Sequence, residues 1–440
     1  MSAERLETMA VEEPGATTIC EDVACTVCGC VCDDLRLTIQ GRRLIDARGA
    51  CSLAEPWLRE QIAARPPLAE LRGKPTSLDT ALDHAYELLT TARAPLIYGL
   101  SRSSTPGQRA AARLADRLGA TIDTTASLCH GPSIVAVQNQ GESTASLGEI
   151  RHRADLVIFW GSNPLQSHPR HLERYSLDPP GMFLPRGRAD RTLVVADVER
   201  TATAELADMY LPIRRGRDFE ALWTLRALLR GIEPAVGTET GAELDALRDL
   251  AARMKACRCG VVFFGLGLTQ SETGHATVEA LLQLVTELND HTRFHAKRMR
   301  IYGDVAGADS VLCWQFGYPF SINLARGFPR YGPGEYSAND VLRKGEVDCC
   351  LLVGSESVAG LSPEAVSHLR SIPTIALDYP GSSRDFTPTV RVTTAVYGIH
   401  RAGTAYRMDE VPVPLRKCIE SEYPSDDEIL NHLADRCGAP

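Results

Sequence analysis

Residues 155–162 read DLVIFWGS, in which five consecutive apolar residues are followed by a glycine and a serine. A short run that is apolar at every position predicts a strand buried on both faces, as in a parallel sheet. Five further stretches have the same form: APLIYGL at Ala94, TLVVADV at Thr192, GVVFFGLG at Gly260, CCLLVGS at Cys349 and TIALDYP at Thr374. The fold is therefore expected to contain several buried parallel strands.

Helical segments fill most of the intervals between these strands. Over Ser77–Ala92 the apolar residues recur every three or four positions, and Gly107–Leu118, Asp218–Arg230 and His275–Leu288 also predict helices. Alternating strands and helices with continuously apolar strands are typical of doubly wound α/β domains. Ligands of such domains bind beyond the carboxyl ends of the strands.

The overall composition excludes several classes of protein. A chain of 440 residues is too long for one core, so two or three domains are expected. The net charge of −9 disfavours a nucleic-acid-binding protein. No stretch is long and apolar enough to predict a membrane span, and the N-terminal MSAERLETMAVEEPGATT lacks the apolar segment of a signal peptide. We therefore predict a cytoplasmic protein.

Five of the fourteen cysteines fall between Cys20 and Cys32. Cys25, Cys28 and Cys32 follow a C-x2-C-x3-C pattern, and Cys51 comes after a predicted hairpin (LRLTI, then Gln-Gly, then RRLIDA). Four cysteine thiolates are the standard ligands of a [4Fe–4S] cluster, which is the function that this spacing favours. Structural zinc and buried free thiols are the alternatives. Two spare cysteines, at positions 20 and 30, leave open whether either replaces a ligand.

A second candidate is the pair Cys129-His130 in ASLCHGPS. By itself, such a cysteine is more often a plain buried thiol than a metal ligand. A reactive or metal-bound thiolate needs a neighbouring cation or metal.

Several stretches together resemble the B subunit of formylmethanofuran dehydrogenase, in the molybdopterin oxidoreductase superfamily. The similarity extends from about residue 20 to about residue 416. The matching stretches are CTVCGCVCDD, ASLCHGPS, ADLVIFWGSNPLQSHPRHLERY, GYPFSINLARGFPRYGPGE and GIHRAGTAYRMDEVPVPLR.

The resemblance implies two metal centres. The four cysteines named above would bind one [4Fe–4S] cluster, and Cys129 would bind tungsten or molybdenum held by two molybdopterin guanine dinucleotides. His130 and Arg300 would lie beside that metal. A soft thiolate suits tungsten or molybdenum, an arginine can hold a formate carboxylate, and an imidazole can relay a proton.

The resemblance also implies residues that cradle the dinucleotides. Strand ends and helix starts supply the backbone groups, and the charged side chains would bind phosphate, ribose or guanine. These residues are Gly161, Ser162, Asn163, His168, Arg170, Asp197, Gly216, Arg217 and Asp218.

The domain organisation implied by the family is as follows: a flexible leader (1–19), an iron–sulfur domain with a β-hairpin (20–75), a Rossmann-like pterin-binding domain (76–145 with 345–400), a second one (146–344) and a C-terminal segment (401–440). The α/β fold would lack the C-terminal β-barrel of related enzymes. Partners would supply it: an amidohydrolase-like A subunit, a C subunit and a β-barrel D subunit, or a formyltransferase, with a ferredoxin-type electron carrier.

This chain departs from the family pattern at one place that bears on its function. After Met299-Arg300 the family has Gly-His, whereas this chain has Ile301-Tyr302. The main hypothesis is an oxidoreductase subunit that interconverts CO2 and formate in C1 metabolism. The alternative is a catalytically silent structural subunit of a bacterial formyltransferase/hydrolase complex in tetrahydromethanopterin-dependent formaldehyde oxidation.

Overall fold

The computed structural model describes residues 16–234, 239–271, 273–383 and 385–438. The strands are β1 Thr17–Val23, β2 Leu35–Gln40, β3 Arg43–Arg48, β4 Ala69–Leu71, β5 Lys74–Thr76, β6 Pro95–Gly99, β7 Thr121–Thr124, β8 Leu156–Trp160, β9 Thr192–Asp197, β10 Met209–Pro212, β11 Cys259–Phe264, β12 Arg293–Arg298, β13 Ile322–Asn323, β14 Arg330–Tyr331, β15 Cys349–Val353, β16 Thr374–Asp378, β17 Val390–Thr393, β18 Gly403–Tyr406 and β19 Pro412–Leu415. The α-helices are α1 Ala54–Ala63, α2 Leu78–Thr91, α3 Thr105–Leu118, α4 Ala126–Cys129, α5 Gly131–Gln140, α6 Leu147–Arg153, α7 Pro164–Ser167, α8 Asp218–Leu229, α9 Leu244–Ala256, α10 Leu266–Thr269, α11 Gly274–Leu288, α12 Val305–Phe316, α13 Ala338–Arg343, α14 Pro363–Ser371 and α15 Asp426–Arg436.

A five-stranded parallel sheet has the order β10-β9-β8-β11-β12. Numbered within the sheet, this is the order 3-2-1-4-5 of a doubly wound dinucleotide-binding fold. The strand order reverses between β8 and β11, which we call the second switch point. Ligands of such sheets bind at the carboxyl ends of the strands at this position.

A nine-stranded sheet has the order β14-β13-β7-β6-β15-β16-β17-β4-β5. Its five central strands, from β7 to β17, are parallel and follow the order 2-1-3-4-5 of flavodoxin-like sheets. The order reverses between β6 and β15, which we call the first switch point. The strands added at both edges pair antiparallel.

The six predicted buried strands and the four predicted helices are all present, with ends within three residues of the predicted ones. Every residue of β6, β8, β11, β15 and β16 is buried, because helices cover the sheets. Helix α3 buries a face made mainly of alanines and Leu114. It is terminated by Gly119, whose positive φ of 62° suits a residue without a side chain.

The N-terminal region forms an antiparallel sheet of order β1-β2-β3. The predicted hairpin is β2–β3, with Gly41 at a positive φ of 56° in its turn. The cysteine loop, residues 24–34, connects β1 to β2, and Cys51 follows β3. Most of the predicted leader, residues 1–15, lies outside the described residues, whereas residues 17–19 belong to β1.

The sheets divide the chain differently from the predicted domains. The short strands β4 and β5, predicted in the iron–sulfur domain, belong to the nine-stranded sheet, and so do β13 and β14, predicted in the second Rossmann-like domain. These edge strands have two or three residues each, too few for a periodic pattern in the sequence. In the described part of the chain, no helix is long and apolar enough to cross a membrane.

Candidate functional site

Five cysteines line one cavity. Cys25, Cys28, Cys30 and Cys32 come from the cysteine loop, and Cys51 comes from the turn before α1. The loop is closed by a hydrogen bond from the amide of Cys25 to the carbonyl of Cys32, 2.8 Å. The four loop cysteines are at most 8% exposed. The structure thus brings together all four predicted ligands, with Cys30 as a fifth thiol.

The thiols in this cavity have different acidities. A hydrogen bond from the Cys30 thiol lowers the pKa of Cys28, and a second one lowers the pKa of Cys32 to about 7, with Arg174 acting in the same direction. The same contacts raise the pKa of Cys30, and burial raises that of Cys25. Cys28 and Cys32 are therefore the thiols of this cavity that lose a proton most easily, and Cys30 is the hydrogen-bond donor between them.

The spacing of these thiols differs from that of a site for one ion. Within the ranges that the structure describes, no three His, Cys, Asp or Glu side chains are close enough together to hold a single metal ion. In a [4Fe–4S] cube each cysteine binds a different iron, so the thiolates stand around the cluster rather than around one point. A cavity walled by cysteines fits that requirement.

Arg170, predicted to contact a dinucleotide, lines the cysteine cavity. Its guanidinium pairs with both oxygens of Asp34, at 2.7 and 2.8 Å, with Glu173 and with the carbonyl of Gly49. These contacts occupy all three nitrogens. Arg170 therefore joins the cysteine loop to the turn before α1, through its ion pair with Asp34 and its hydrogen bond to Gly49.

Cys129 is the last residue of the short helix α4, and His130 lies between α4 and α5. Burial raises the pKa of Cys129 to about 12, while Arg300 acts in the opposite direction. The free thiol is consequently protonated at neutral pH, and a thiolate at this position requires a metal. His130 is buried, and its Nε2–H donates to the carbonyl of Met299, 3.2 Å.

The other imidazole nitrogen of His130 has no partner. Its Nδ1 is shielded from solvent and makes no hydrogen bond within the described structure. Burial, and then Arg300, hold the pKa of His130 well below 6.5, so the ring is neutral and Nδ1 is an acceptor. A buried acceptor without a donor is costly, and a bound group with an N–H or O–H would satisfy it.

Arg300 is 3% exposed, and its Nη1 donates to Asp309, 2.6 Å. Its Nε lacks a hydrogen-bond partner among the described residues. The guanidinium is thus held from one side and keeps a free donor. Asp309 also accepts from Thr124, the last residue of β7, 2.9 Å. The side chain of Arg300 is therefore held near the end of β7, five residues before Cys129, and acts on the pKa of both Cys129 and His130.

Residues 299–303 join the two candidate centres. The amide of Gly29, in the cysteine loop, donates to the carbonyl of Arg300, 3.1 Å. The Nε2–H of His168 donates to the same carbonyl, 2.6 Å. His168, predicted to bind a dinucleotide, is therefore a buried support of this segment. The sequence carries no sign of this role because it depends on a contact across 132 positions.

Glycines line the second switch point, as predicted. The φ of Gly161 is +56°, and a Cβ there would lie 3.0 Å from the Cα of Gly267. The amide of Gly267 donates to the carbonyl of Gly161, 3.2 Å. Ser162 and Asn163 follow directly, and Thr203 donates to the side chain of Asn163, 2.7 Å. The amide of Gly161 donates to the carbonyl of Ala196, 2.9 Å, so the peptide groups at this point pair with the sheet and with each other. The absence of side chains lets the two backbones approach this closely.

Most of the other residues predicted to cradle a dinucleotide have partners within the chain: the carboxylate of Asp197, for example, accepts from the amide of Val198, 2.7 Å. Asp197 ends β9, and burial raises its pKa. Gly216 has open space around it. Asp218 instead accepts a hydrogen bond from the indole of Trp160, 2.8 Å, and Arg217 pairs with Glu220, 2.5 Å. In this structure Asp218 thus contacts a strand of the five-stranded sheet, and Arg217 forms an ion pair within the first turn of α8.

The first switch point holds a cavity that sequence reasoning did not assign. It lies between Gly99 and Gly354, the residues at the ends of β6 and β15, and it is also lined by Arg102, Tyr302 and Glu356. Tyr302, part of the departure from the family pattern, therefore faces this cavity. The signal available in the sequence was the Gly-Ser-Glu after β15, which matches the Gly-Ser-Asn after β8.

Comparisons with known proteins were made on sequence and on structure. No protein-family model matches the chain. It is 39% identical over 425 residues to the B subunit of tungsten-containing formylmethanofuran dehydrogenase 2 from Methanocaldococcus jannaschii, covering 94% of this chain and 98% of that protein. The protein of the same name from Methanococcus maripaludis is 36% identical over 422 residues, with 94% and 97% coverage. The B subunit of the formyltransferase/hydrolase complex Fhc from Methylorubrum extorquens is 26% identical over 291 residues, with 65% and 74% coverage.

Solved structures share the fold. A chain of the formyltransferase/hydrolase complex FhcABCD from Methylorubrum extorquens, crystallised with methylofuran, has a TM-score of 0.68 at 24% identity and covers 84% of this chain and 98% of that one. Acetylene hydratase from Pelobacter acetylenicus has a TM-score of 0.65 at 13% identity, with 94% and 69% coverage. The level of identity to the first two relatives, over nearly the whole of both chains, shows that this chain belongs to the family of formylmethanofuran dehydrogenase B subunits.

Proposed function

We propose that this chain is the redox subunit of a formylmethanofuran dehydrogenase-type complex. Cys25, Cys28, Cys32 and Cys51 bind a [4Fe–4S] cluster. Cys129 binds tungsten or molybdenum carried by two molybdopterin guanine dinucleotides. The reaction is the interconversion of CO2 and formate, and the formate passes to a partner protein that condenses it with an amine.

One observation carries the proposal: adjacent carbonyls of one segment contact both candidate centres. The carbonyl of Met299 accepts from His130, and the carbonyl of Arg300 accepts from Gly29 in the cysteine loop. Short separation between centres is what electron exchange between a cluster and a catalytic metal requires. A pair of unrelated thiol sites would need no such connection.

The side chains suit the proposed chemistry. When bound, the pterin-held metal exchanges an electron pair with the carbon, and the cluster passes electrons singly to a carrier. Arg300, fixed by Asp309, offers its free Nε to a carboxylate oxygen of formate. His130 offers Nδ1 as the acceptor for the proton that accompanies the electron pair. Burial of both residues excludes water from the carboxylate.

The two switch points suit the two dinucleotides. Each lies at the carboxyl ends of parallel strands, and each carries glycines where two backbones meet. We assign one dinucleotide to Gly161, Ser162, Asn163 and Asp197, and the other to the cavity at Gly99 and Gly354.

Partners follow from the names of the relatives, which are subunits of complexes. We propose amidohydrolase-like A, C and β-barrel D subunits as partners, with a ferredoxin-type protein as electron carrier. The β-barrel partner would cover the dinucleotides that this chain leaves accessible.

Metal analysis of the complex, purified under anaerobic conditions, tests the proposal. We expect about four iron atoms and one tungsten or molybdenum per copy of this chain. Cys129→Ser should lose the tungsten or molybdenum and retain the iron, whereas the control Cys437→Ser, at the end of α15, should retain both. Zinc in place of iron would overturn the cluster assignment.

The alternative is a structural subunit of a formyltransferase/hydrolase complex, and Tyr302 favours it. This phenol lines the first switch point, at a position where the family pattern has a histidine. Iron without tungsten or molybdenum, together with full turnover of the Cys129→Ser complex, would establish this alternative.

A further inference from the structure

Arg102 contacts both the cysteine loop and the first switch point. Its Nη1 donates to the carbonyls of Thr26, 2.7 Å, and Val27, 3.1 Å, the two residues between Cys25 and Cys28. Its Nε lies 3.4 Å from Glu356. No other cation that lines the first switch point is seen among the described residues, and the remaining lining groups are Tyr302 and small residues.

Aromatic rings fix the position of this guanidinium. Its Cζ lies 5.3 Å from the ring centre of Tyr302 and 5.9 Å from that of Trp57. The hydroxyl of Tyr379 donates to the backbone carbonyl of Arg102. The side chain is 15% exposed. A charge that is held in one place and shielded from water acts strongly on its surroundings.

Glu356 is the counter-charge within the cavity. Its Oε2 is shielded from solvent and has no hydrogen-bond partner within the described structure. The carboxylate is therefore satisfied on one side only, by Arg102. Two other cations near the cysteine loop, Arg170 and Arg174, are already paired with Asp33 and Asp34.

We propose that Arg102 is a positioning residue that couples the cysteine loop to the first switch point, and that Arg102 and Glu356 together set the reduction potential of the cluster. This inference rests on the proposed function, because it requires a cluster at the four cysteines. Reduction adds one negative charge to the cluster. A nearby cation stabilises the reduced form, and a nearby anion opposes it.

A consequence concerns binding at the first switch point. A ligand there that takes Arg102 or Glu356 as its partner changes the charge that the cluster experiences. By linkage, reduction of the cluster must change the affinity for that ligand by the same factor. Binding and electron transfer are thereby connected through one guanidinium.

The test is a redox titration of the cluster, followed by electron paramagnetic resonance, in the anaerobically purified complex. Arg102→Gln removes the cation and should lower the midpoint potential. Glu356→Gln removes the anion, keeps a hydrogen-bond acceptor for Arg102 and should raise the midpoint potential. Arg102→Lys retains the charge and should give a potential close to that of the unmodified complex. Opposite shifts from two neighbouring substitutions would not arise from a loss of packing.

The matched control is the ion pair of Arg226 and Glu287, 2.6 Å, which lies on helices of the five-stranded sheet. Arg226 also stacks on an aromatic ring, that of Trp223, at 4.0 Å. Arg226→Gln and Glu287→Gln should leave the midpoint potential unchanged.

The outcomes distinguish a failure of the proposed function from a failure of the inference about Arg102 and Glu356. If the unmodified complex shows no iron–sulfur signal, the proposed function fails. If the signal is present but Arg102→Gln and Glu356→Gln shift the potential in the same direction, or not at all, this inference fails. Should Arg102→Gln not retain the cluster, the upward shift in Glu356→Gln and the unchanged potential in Arg102→Lys remain decisive.

Discussion

The amide of Gly29 and the carbonyl of Arg300 form a hydrogen bond of 3.1 Å between residues 271 positions apart. The carbonyl of Gly29 in turn accepts from the amide of Met408, 2.8 Å. The cysteine loop is therefore bonded on both sides to segments that follow it by hundreds of residues. Its shape depends on the assembled domains, and so does the distance between the two candidate centres.

The first prediction separates ligand cysteines from spare ones. Cys51→Ser should lose the cluster, because it removes one of four thiolates, whereas Cys30→Ser should retain it, because a hydroxyl still donates to the neighbouring sulfurs. Iron content and visible absorption of the purified complex report the difference. Cys20→Ser is the control, since the thiol of Cys20 contacts the carbonyl of Cys418, 3.6 Å, outside the cavity. Loss of iron in Cys30→Ser but not in Cys51→Ser would reverse the assignment.

The second prediction concerns Gly303→Ala. A Cβ on Gly303 would lie 2.0 Å from the carbonyl oxygen of Thr26, so either the cysteine loop or residues 299–303 must move. We expect a loss of about 1–3 kcal/mol in the free energy of unfolding and a lower iron content. Gly148→Ala in α6 is the control, because the nearest atom lies 3.7 Å from its Cβ position. Equal stability of the two variants in thermal unfolding would contradict the close contact.

The third prediction concerns the buried ion pair of Arg300 and Asp309. Asp309→Asn leaves the guanidinium buried without a counter-charge, which should cost about 3–5 kcal/mol. The exposed pair of Arg253 and Asp249 is the control, and Asp249→Asn should change the stability by less than about 0.5 kcal/mol. Denaturant unfolding measures both. A small effect of Asp309→Asn would mean that Arg300 is satisfied by other groups.

The fourth prediction is a pH dependence that involves His168. Burial lowers its pKa from 6.5 to about 4, and the neutral ring donates to the carbonyl of Arg300. Below pH 6.5 this imidazole is protonated in the unfolded chain but remains neutral in the folded protein. The free energy of unfolding therefore falls as the pH falls from about 6.5 to about 4. The loss from this group is about 3 kcal/mol.

His168→Gln tests the sign of that effect. The amide keeps a donor for the carbonyl of Arg300 but does not titrate, so the dependence of unfolding on pH should become shallower between pH 6.5 and 4. A steeper dependence in His168→Gln would contradict the assignment of a neutral ring.

The fold and the candidate site differ in how far local sequence predicts them. Strands such as β8 and β11 were predictable because a strand buried on both faces must be apolar at every position. Strand β12, with the sequence RFHAKR, was not predicted, because its charged residues are buried through partners elsewhere, such as Glu142 for Arg298. The partners of Arg170 and Asp218 were likewise not predictable, because Asp34 and Trp160 lie far from them in the sequence.

Spacing and periodicity are local properties, so the four-cysteine pattern, the Cys-His pair and the buried parallel strands could be identified without a structure. Tertiary structure decided which of these features meet. It brought residues 299–303 against Gly29, turned His168 into a support for Arg300, and placed Arg102 between the cysteine loop and Glu356. Such contacts join positions far apart in the chain, so no local pattern encodes them, and they form only when both sheets have assembled.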